Sequence, residues 1–464
     1  MRKFLRFASL LVALAMVWSV AACQPVPVAA PTSAPALAAT EAPPTAATTA
    51  PAEAPQAEPI KLLVWDQAAR PEESAIMDGI IERYQAAYPN VTVVREAKTL
   101  DDLKATLPLA MSSPEGPCIS MVNQGQSDMG AFVAAGLLLP LDKYAKSFGW
   151  YVNFPVGLAA LNSWTEDGKK MGTGALYGLP TNAEIVGVYY RKDLFAKYGL
   201  AVPQTYAEFE GLMKTLKEKG ETPLVYGGLD GWPAIHLYSE IQNAALAERK
   251  WYDSFMFTTG DVTFENPANL EAAKKLQAWV EAGYLTKGFE GIGYDDSWQL
   301  FSSGQGAMML TGNWLSADLL AGPNGANLGF FLVPPLESGG YKLSVGGAGS
   351  GYAISAKCPY PDQAAEYINY LFSDETAEAL LASGTLPVYP VDTSKLEEGL
   401  VKDIVRAWVY ANQNNSVGYY FDWVTPTMYD TSTASLQELM AGKITPEEFV
   451  AKLNQDYVKF LENK

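Results

Sequence analysis

The sequence predicts an α/β protein in two lobes with a cleft between them, and three observations carry that expectation. Apolar runs rich in strand formers alternate with helix-period segments, which implies a mostly parallel sheet covered on both faces. Cap and turn residues punctuate those segments at the spacing of real elements. The alternation continues over about 400 residues, more than one core serves, and 48% hydrophobic and 12% aromatic residues are ample for two.

Taken in order, Lys61-Leu-Leu-Val-Trp65 reads as a strand, followed by a helix with Ile76, Ile80, Ile81, Tyr84 and Tyr88 on one face. Asn90–Arg95 alternates as a strand, and Thr99-x-x-Asp102 resembles a capping box opening the next helix. Cys118–Val122 is a buried-strand run, with a helix through Phe132, Val133, Leu137 and Leu138 after it. A second α/β stretch begins with the strand Ile185–Tyr190. Thr205-x-x-Glu208 then caps a helix carrying Phe209, Leu212, Met213 and Leu216, and Asn266-Pro267 starts another. Gly306–Leu310 and Tyr352–Ser355 read as strands, the latter leading into a helix over 364–372. Thr445-Pro446-Glu447-Glu448 opens a C-terminal helix.

Charge and residue counts exclude several functions. With 33 Lys and Arg against 51 Asp and Glu, the net charge is −18, which argues against nucleic acid and anionic membrane surfaces as partners. One histidine, His236, excludes a His-rich zinc site, and it reads as a core or surface residue rather than a catalytic one. No metal or cofactor is expected. Of three cysteines without a CxxC pair, Cys23 belongs to the N-terminal segment, leaving Cys118–Cys358 as the one candidate disulfide.

Arg2, Lys3 and Arg6, an apolar run from Phe7 to Val20 and the ending Val20-Ala-Ala-Cys23 read as a signal peptide over residues 1–22. The ending resembles a bacterial lipobox, with Cys23 as the lipidated residue. Residues 24–59 hold 9 Pro, 13 Ala and 5 Thr, so the 23–59 segment is expected to be a disordered tether.

Enzyme motifs are lacking: no GxxxxGK[ST] and no GxSxG occur, and Val345–Gly351 is Gly-rich without fitting GxGxxG, reading as a turn between lobes. The adjacent pairs Glu72-Glu73 and Asp295-Asp296 read as solvated helix starts, favoured by the helix dipole.

Ordered motifs resemble one family, the extracellular solute-binding proteins, family 1, of ABC transporters, the sugar-binding group that includes maltose-binding protein. Those motifs are Leu62-Leu-Val-Trp-Asp66, Gly136-Leu-Leu-Leu-Pro-Leu-Asp142, Tyr177-Gly-Leu-Pro180 with Val188-Tyr-Tyr-Arg-Lys-Asp193, and Pro203-x-Thr205-Tyr-x-Glu208. The stretch Phe301-x-x-Gly304-x-Gly-Ala-Met308-Met-Leu-x-Gly312-Asn-Trp314 and Gly351-Tyr-Ala-Ile-Ser355 complete the match over about 60–464. The resemblance implies a type II periplasmic-binding fold with a hinge and an interlobe ligand cleft. Crossings are expected near 182–188, 338–346 and 374–386. Lobe 1 is then 60–183 plus 345–378, and lobe 2 is 187–340 plus 385–464. It also puts Cys118 and Cys358 together at the far end of lobe 1, as a disulfide or as two buried thiols.

By position in that family, the ligand-site candidates are Trp65 and Asp66 at the end of the first strand, and Asn123, Gln124 and Ser127 at and beyond the third. Glu184 stands at the first crossing, Asp230 and Trp232 on a Gly-rich loop, and Asn313 with Trp314 at the end of a strand. Gly347 and Gly349 could bring backbone close to a hydroxyl, and Asp422, Trp423 and Tyr429 lie in an aromatic C-terminal stretch. Sugars need such a mixture, because their C–H faces stack on aromatic rings while their hydroxyls take hydrogen bonds from carboxylates and amides.

The resemblance implies the non-enzymatic, substrate-binding component of an ABC importer, capturing a carbohydrate, expected to be an oligosaccharide, for a membrane permease. The chain would be a monomer, exported and lipid-anchored to the outer face of the cell membrane. Alternatives are a receptor for a non-sugar solute such as a polyamine or peptide, and a secreted two-carboxylate glycoside hydrolase.

Overall fold

The computed structural model describes residues 58–463 apart from Ala247. The signal peptide, Cys23 and most of the Pro/Ala/Thr-rich segment lie outside the described residues. Among the described residues no helix is long and apolar enough to cross a membrane.

The chain enters β1 (Ile60–Asp66), where Leu62, Val64 and Asp66 are buried on one alternation. A helix over Pro71–Ala87 follows, with Pro71 at its first position, Glu72 and Glu73 in its first turn, and Met77, Ile80, Ile81 and Tyr84 buried. β2 (Val91–Ala97) pairs parallel with β1 from Ile60↔Val91 to Asp66↔Ala97. Thr99 then caps the helix Leu100–Ser112, accepting from the Asp102 N–H. β3 (Ile119–Val122) lies on the other edge of β1. The helix expected to reach Leu138 ends at Ala134, because Gly136 turns the chain with φ near 66°. Leu138 is instead bridged to Ser355. A ribbon of β4 (Ser163–Trp164) and β5 (Ala175–Leu176) precedes the first crossing.

β6 (Ala183–Arg191) is the axis of the second lobe. It pairs with β7 (Met308–Gly312) along one edge, and with β8 (Leu328–Phe331) and β9 (Ser344–Ala348) in succession along the other, all antiparallel. β10 (Gly351–Ile354) returns antiparallel to β3, and β11 (Val417–Gly418) extends β9 in parallel. The sheets therefore run β10-β3-β1-β2 and β11-β9-β6-β7. The expectation of mostly parallel pairing fails for the second sheet. β6 enters from the first lobe and so runs away from the cleft, against neighbours that run toward it.

The second passage between sheets falls at Gly349–Ser350, later than the expected 338–346. Val345–Ala348 is a strand of the second sheet rather than a turn. β6 and β9 lie side by side at the crossing, β6 leaving the first lobe and β9 returning to it. The Gly349 N–H donates to the Asn182 carbonyl at 2.9 Å, and a Cβ on Gly349 would stand 2.6 Å from the Asn182 amide nitrogen.

The start of β3 meets the end of β10, where Cys118 and Cys358 form a disulfide with Cα atoms 4.6 Å apart, closing 240 residues. The opposite end of β3, at Asn123, faces the cleft. In the second lobe the helix Pro233–Leu246 lies under β9, and its fully buried Glu240 accepts from the Val345 N–H at 2.8 Å. Burial pushes the Glu240 carboxyl up to about 8.

Replacing Cys118 and Cys358 by Ser should cost about 2–4 kcal/mol, read as a lower thermal midpoint without reductant; an unchanged midpoint would refute the bridge's role. Glu240 gives a second test. Its folded-state value exceeds that of an unfolded Glu, so the fold binds the proton more tightly and loses stability as pH rises from about 4.5 through about 8. The midpoint of Glu240→Gln relative to the parent should therefore climb between about pH 5 and about pH 9, and a constant difference would contradict this.

Candidate functional site

A cavity of about 560 Å³ opens between the two sheets. The first lobe contributes the turn after β1 (Gln67 to Arg70), Glu73 and Ile76 of the helix it starts, Asp101, and Asn123 at the end of β3. The second contributes Glu184 on β6, the Asp230–Trp232 loop, His236, Tyr294 and Trp298 of the helix Tyr294–Ser302, Trp314 after β7, and Tyr420, Asp422, Trp423 and Tyr429.

Aromatic rings make the wall on the second-lobe side. Trp232 and Tyr294 stand 4.4 Å apart, Tyr420 and Trp423 4.7 Å. The Trp314 indole N–H donates to the Tyr294 hydroxyl at 2.6 Å, and that hydroxyl shares a 2.9 Å hydrogen bond with Thr311. Gly312 makes this possible, since a Cβ there would overlap the Trp314 ring. His236 sits behind, 5.3 Å from Trp314 and 5.5 Å from Tyr420. Burial lowers its pKa to about 3, so the ring is neutral.

Carboxylates face this wall. Arg70 donates to Glu73 at 2.6 Å and, across the cleft, to Asp318 at 3.3 Å. Burial opposes the charge on Arg70, but Glu73 and Asp318 outweigh it and hold the guanidinium pKa above its ordinary value. Burial also pushes Glu73, Glu184 and Asp422 each to about 7, although Arg70 pulls Glu73 down. At the rim, the Asp230 carboxylate accepts the Tyr294 N–H at 2.5 Å and Asp295 accepts the Trp298 indole at 2.9 Å.

Of the sequence candidates, Asn123, Glu184, Asp230, Trp232, Trp314, Asp422, Trp423 and Tyr429 line this cavity. Ser127 lines an adjoining cavity of about 410 Å³, beside Lys104, Asp128 and Tyr429. The remaining six are absent from both linings. Asp66, fully buried, holds Arg95 through both oxygens at 2.6 and 2.9 Å and accepts the Ala68 N–H, so it shapes the turn that bears Arg70. Trp65 points to the opposite face under Lys98. Gln124 donates to the Gly349 carbonyl at 2.7 Å, and Asn313 bonds Ile185 N–H at 2.7 Å and the Ala183 carbonyl at 3.1 Å. Gly349 lies against the Asn182 amide, and Gly347, with φ near 141°, lies against Leu161. Asp66, Gln124, Asn313 and Gly349 are each next in sequence to a residue that does line the cavity.

Sequence reasoning passed over Arg70, Tyr294, Trp298 and Tyr420. The pairs Glu72-Glu73 and Asp295-Asp296 do start helices, yet Glu73, Asp295 and Asp296 also line the cavity. Helix N-termini pointing at a cleft were the available signal.

The family model for the bacterial extracellular solute-binding proteins matches residues 68–378. The chain belongs to that family. It is 23% identical over 416 residues, 86% of this chain and 82% of the relative, to an uncharacterized ABC transporter extracellular-binding protein of Pyrococcus horikoshii. It is 26% identical over 208 residues, 42% of this chain and 47% of the relative, to the multiple sugar-binding protein of Streptococcus mutans. A solved chitin oligosaccharide binding protein superposes with a TM-score of 0.75 at 26% identity, covering 86% of this chain and 98% of that one. The fold is thus the two-lobe type II periplasmic-binding fold, and family members are exported solute-binding components of ABC transporters.

Asp66→Ala should destabilise the protein by about 1.5–3 kcal/mol in denaturant titration, because the mostly buried Arg95 loses two charge-assisted hydrogen bonds and keeps only the Asp78 carboxylate beside it. A loss of ligand affinity with unchanged stability would return Asp66 to the binding site.

Proposed function

We propose that this solute-binding protein captures a carbohydrate, of oligosaccharide size, in the interlobe cleft and delivers it to the permease subunits of an ABC importer without transforming it. The observation that carries the reading is the facing of an aromatic wall by carboxylates and amides within one cavity of about 560 Å³. Pyranose C–H faces pack on rings such as Trp232, Trp314 and Trp423, while Glu184, Asp230, Asp422 and Asn123 can accept or donate to hydroxyls. The names of relatives, a multiple sugar-binding protein and a chitin oligosaccharide binding protein, support the same class.

The lobes hinge at the crossings 179–183, 348–351 and 382–388, with lobe 1 carrying the first sheet and lobe 2 the second; closure around the ligand is the family's motion. The protein works as a monomer, lipid-anchored through Cys23 on the outer face of the cell membrane, with the 23–59 segment as tether.

Thermal-shift screening against mono- and oligosaccharides, polyamines and peptides tests the class. A ligand binding only the folded state at 100 times its Kd adds about 2.7 kcal/mol. An oligosaccharide that raises the midpoint and is recovered intact supports the proposal; appearance of cleavage products would favour the hydrolase reading, and a response to peptides alone would overturn the substrate. With that ligand, Trp314→Ala should weaken binding at least tenfold, about 1.4 kcal/mol, by removing a stacking face. Unchanged affinity would take Trp314 out of the site.

A further inference from the structure

We infer that the cleft selects a carbohydrate bearing a protonated amine, an amino-substituted saccharide, over the matching neutral sugar; this rests on the carbohydrate reading above. Among the described residues the cavity is lined by seven carboxylates and a single cation, Arg70. Arg70 is already committed, bonded to Glu73 at 2.6 Å and to Asp318 at 3.3 Å. Its hydrogen bonds are spent on Glu73, Asp318 and the Trp314 carbonyl.

Two carboxylates are left facing the cavity with little to satisfy them. Asp422 is only 5% exposed, and its carboxylate receives just its own backbone N–H. The cation nearest in effect, Lys104, is held by both oxygens of Asp128 at 2.8 and 2.7 Å. Among the described residues Glu184 has only the Tyr420 hydroxyl, at 3.5 Å, and also feels Glu73 and Arg70. An unpaired buried carboxylate is costly, and a hydroxyl relieves its hydrogen bonding without touching its charge. An ammonium group does both. Tyr420 and Trp423, with ring centroids 4.7 Å apart, add aromatic faces of the kind that attract cations.

The carboxyls also supply a signature. With burial holding Glu184 and Asp422 near about 7, part of each is protonated at neutral pH. A cation arriving beside them favours the ionised form and expels protons into the buffer, whereas a neutral sugar donating hydroxyls to them does not require it.

The test is calorimetry on the full exported chain near pH 6.5, with matched probes differing by ammonium for hydroxyl: glucosamine and glucose, galactosamine and galactose, and the glucosamine trimer and cellotriose. Spermidine serves as an amine without a sugar ring. The inference expects at least one amino sugar to bind tenfold or more tighter than its neutral counterpart, with proton release revealed by buffers of different ionisation enthalpy. Glu184→Gln and Asp422→Asn, singly and together, should each shrink that ratio, the pair by at least tenfold. Neutral sugars binding as tightly as amino sugars would overturn the inference and leave the carbohydrate reading standing. An unchanged ratio in folded variants, checked by thermal midpoint, would likewise overturn it. Binding of spermidine with every saccharide silent, or silence throughout, would overturn the carbohydrate reading and this inference with it.

Discussion

Two adjacent strands must leave one sheet and enter another without abandoning their backbone hydrogen bonds, and the rest of the structure depends on how that is done. At the crossing, Ala183 N–H bonds the Leu386 carbonyl and Val388 N–H bonds that of Thr181, so the third passage zips onto the first. Asn313 takes the Ile185 N–H and the Ala183 carbonyl from one side. Gln124 takes the Ala348 and Gly349 carbonyls from the other. Each side chain replaces a missing strand partner where no neighbouring strand can reach. Buried backbone groups left unpaired would cost about 1–3 kcal/mol apiece, enough at three crossings to loosen the relation between lobes.

Because the crossing is fixed, the loops at the strand ends converge. The end of β1 delivers Arg70, the end of β3 delivers Asn123, and the end of β7 delivers Trp314, all toward one space. Ligands gather beyond strand ends in α/β sheets for the same geometric reason. The Asp66–Arg95 pair works one layer further back, holding the β1 turn so that Arg70 can span to Asp318. Opposite the crossing, the Cys118–Cys358 bridge closes the far end of the first sheet, away from the cleft.

The electrostatics follow from that convergence. Bringing aromatic rings and carboxylates into one enclosed volume removes water from the acids, and desolvation then outweighs the nearby cations at Glu73, Glu184 and Asp422. His236 responds in the opposite direction for the same cause. The negative balance of the whole chain is thus repeated inside the cavity, where it acts on whatever enters.

Much of the fold was legible because local rules operate over a few residues: the apolar run of β1, the alternation in β2, the Thr99, Thr205, Asn266 and Thr445 caps, and Pro267 and Pro446 at helix starts are all read from neighbours in sequence. Family motifs placed the cleft and eight of its lining residues. They did not tell Trp314 from Asn313, or Glu184 from the glycines opposite it, since a one-residue step along a strand end reverses the face a side chain presents. The antiparallel second sheet was likewise invisible, because strand direction depends on where the chain enters a lobe. By itself the sequence determined most of the elements and the family. Tertiary structure alone decided which carboxylates lose their water and their partners, because burial and pairing are properties of residues distant in the chain and brought together only by the crossings.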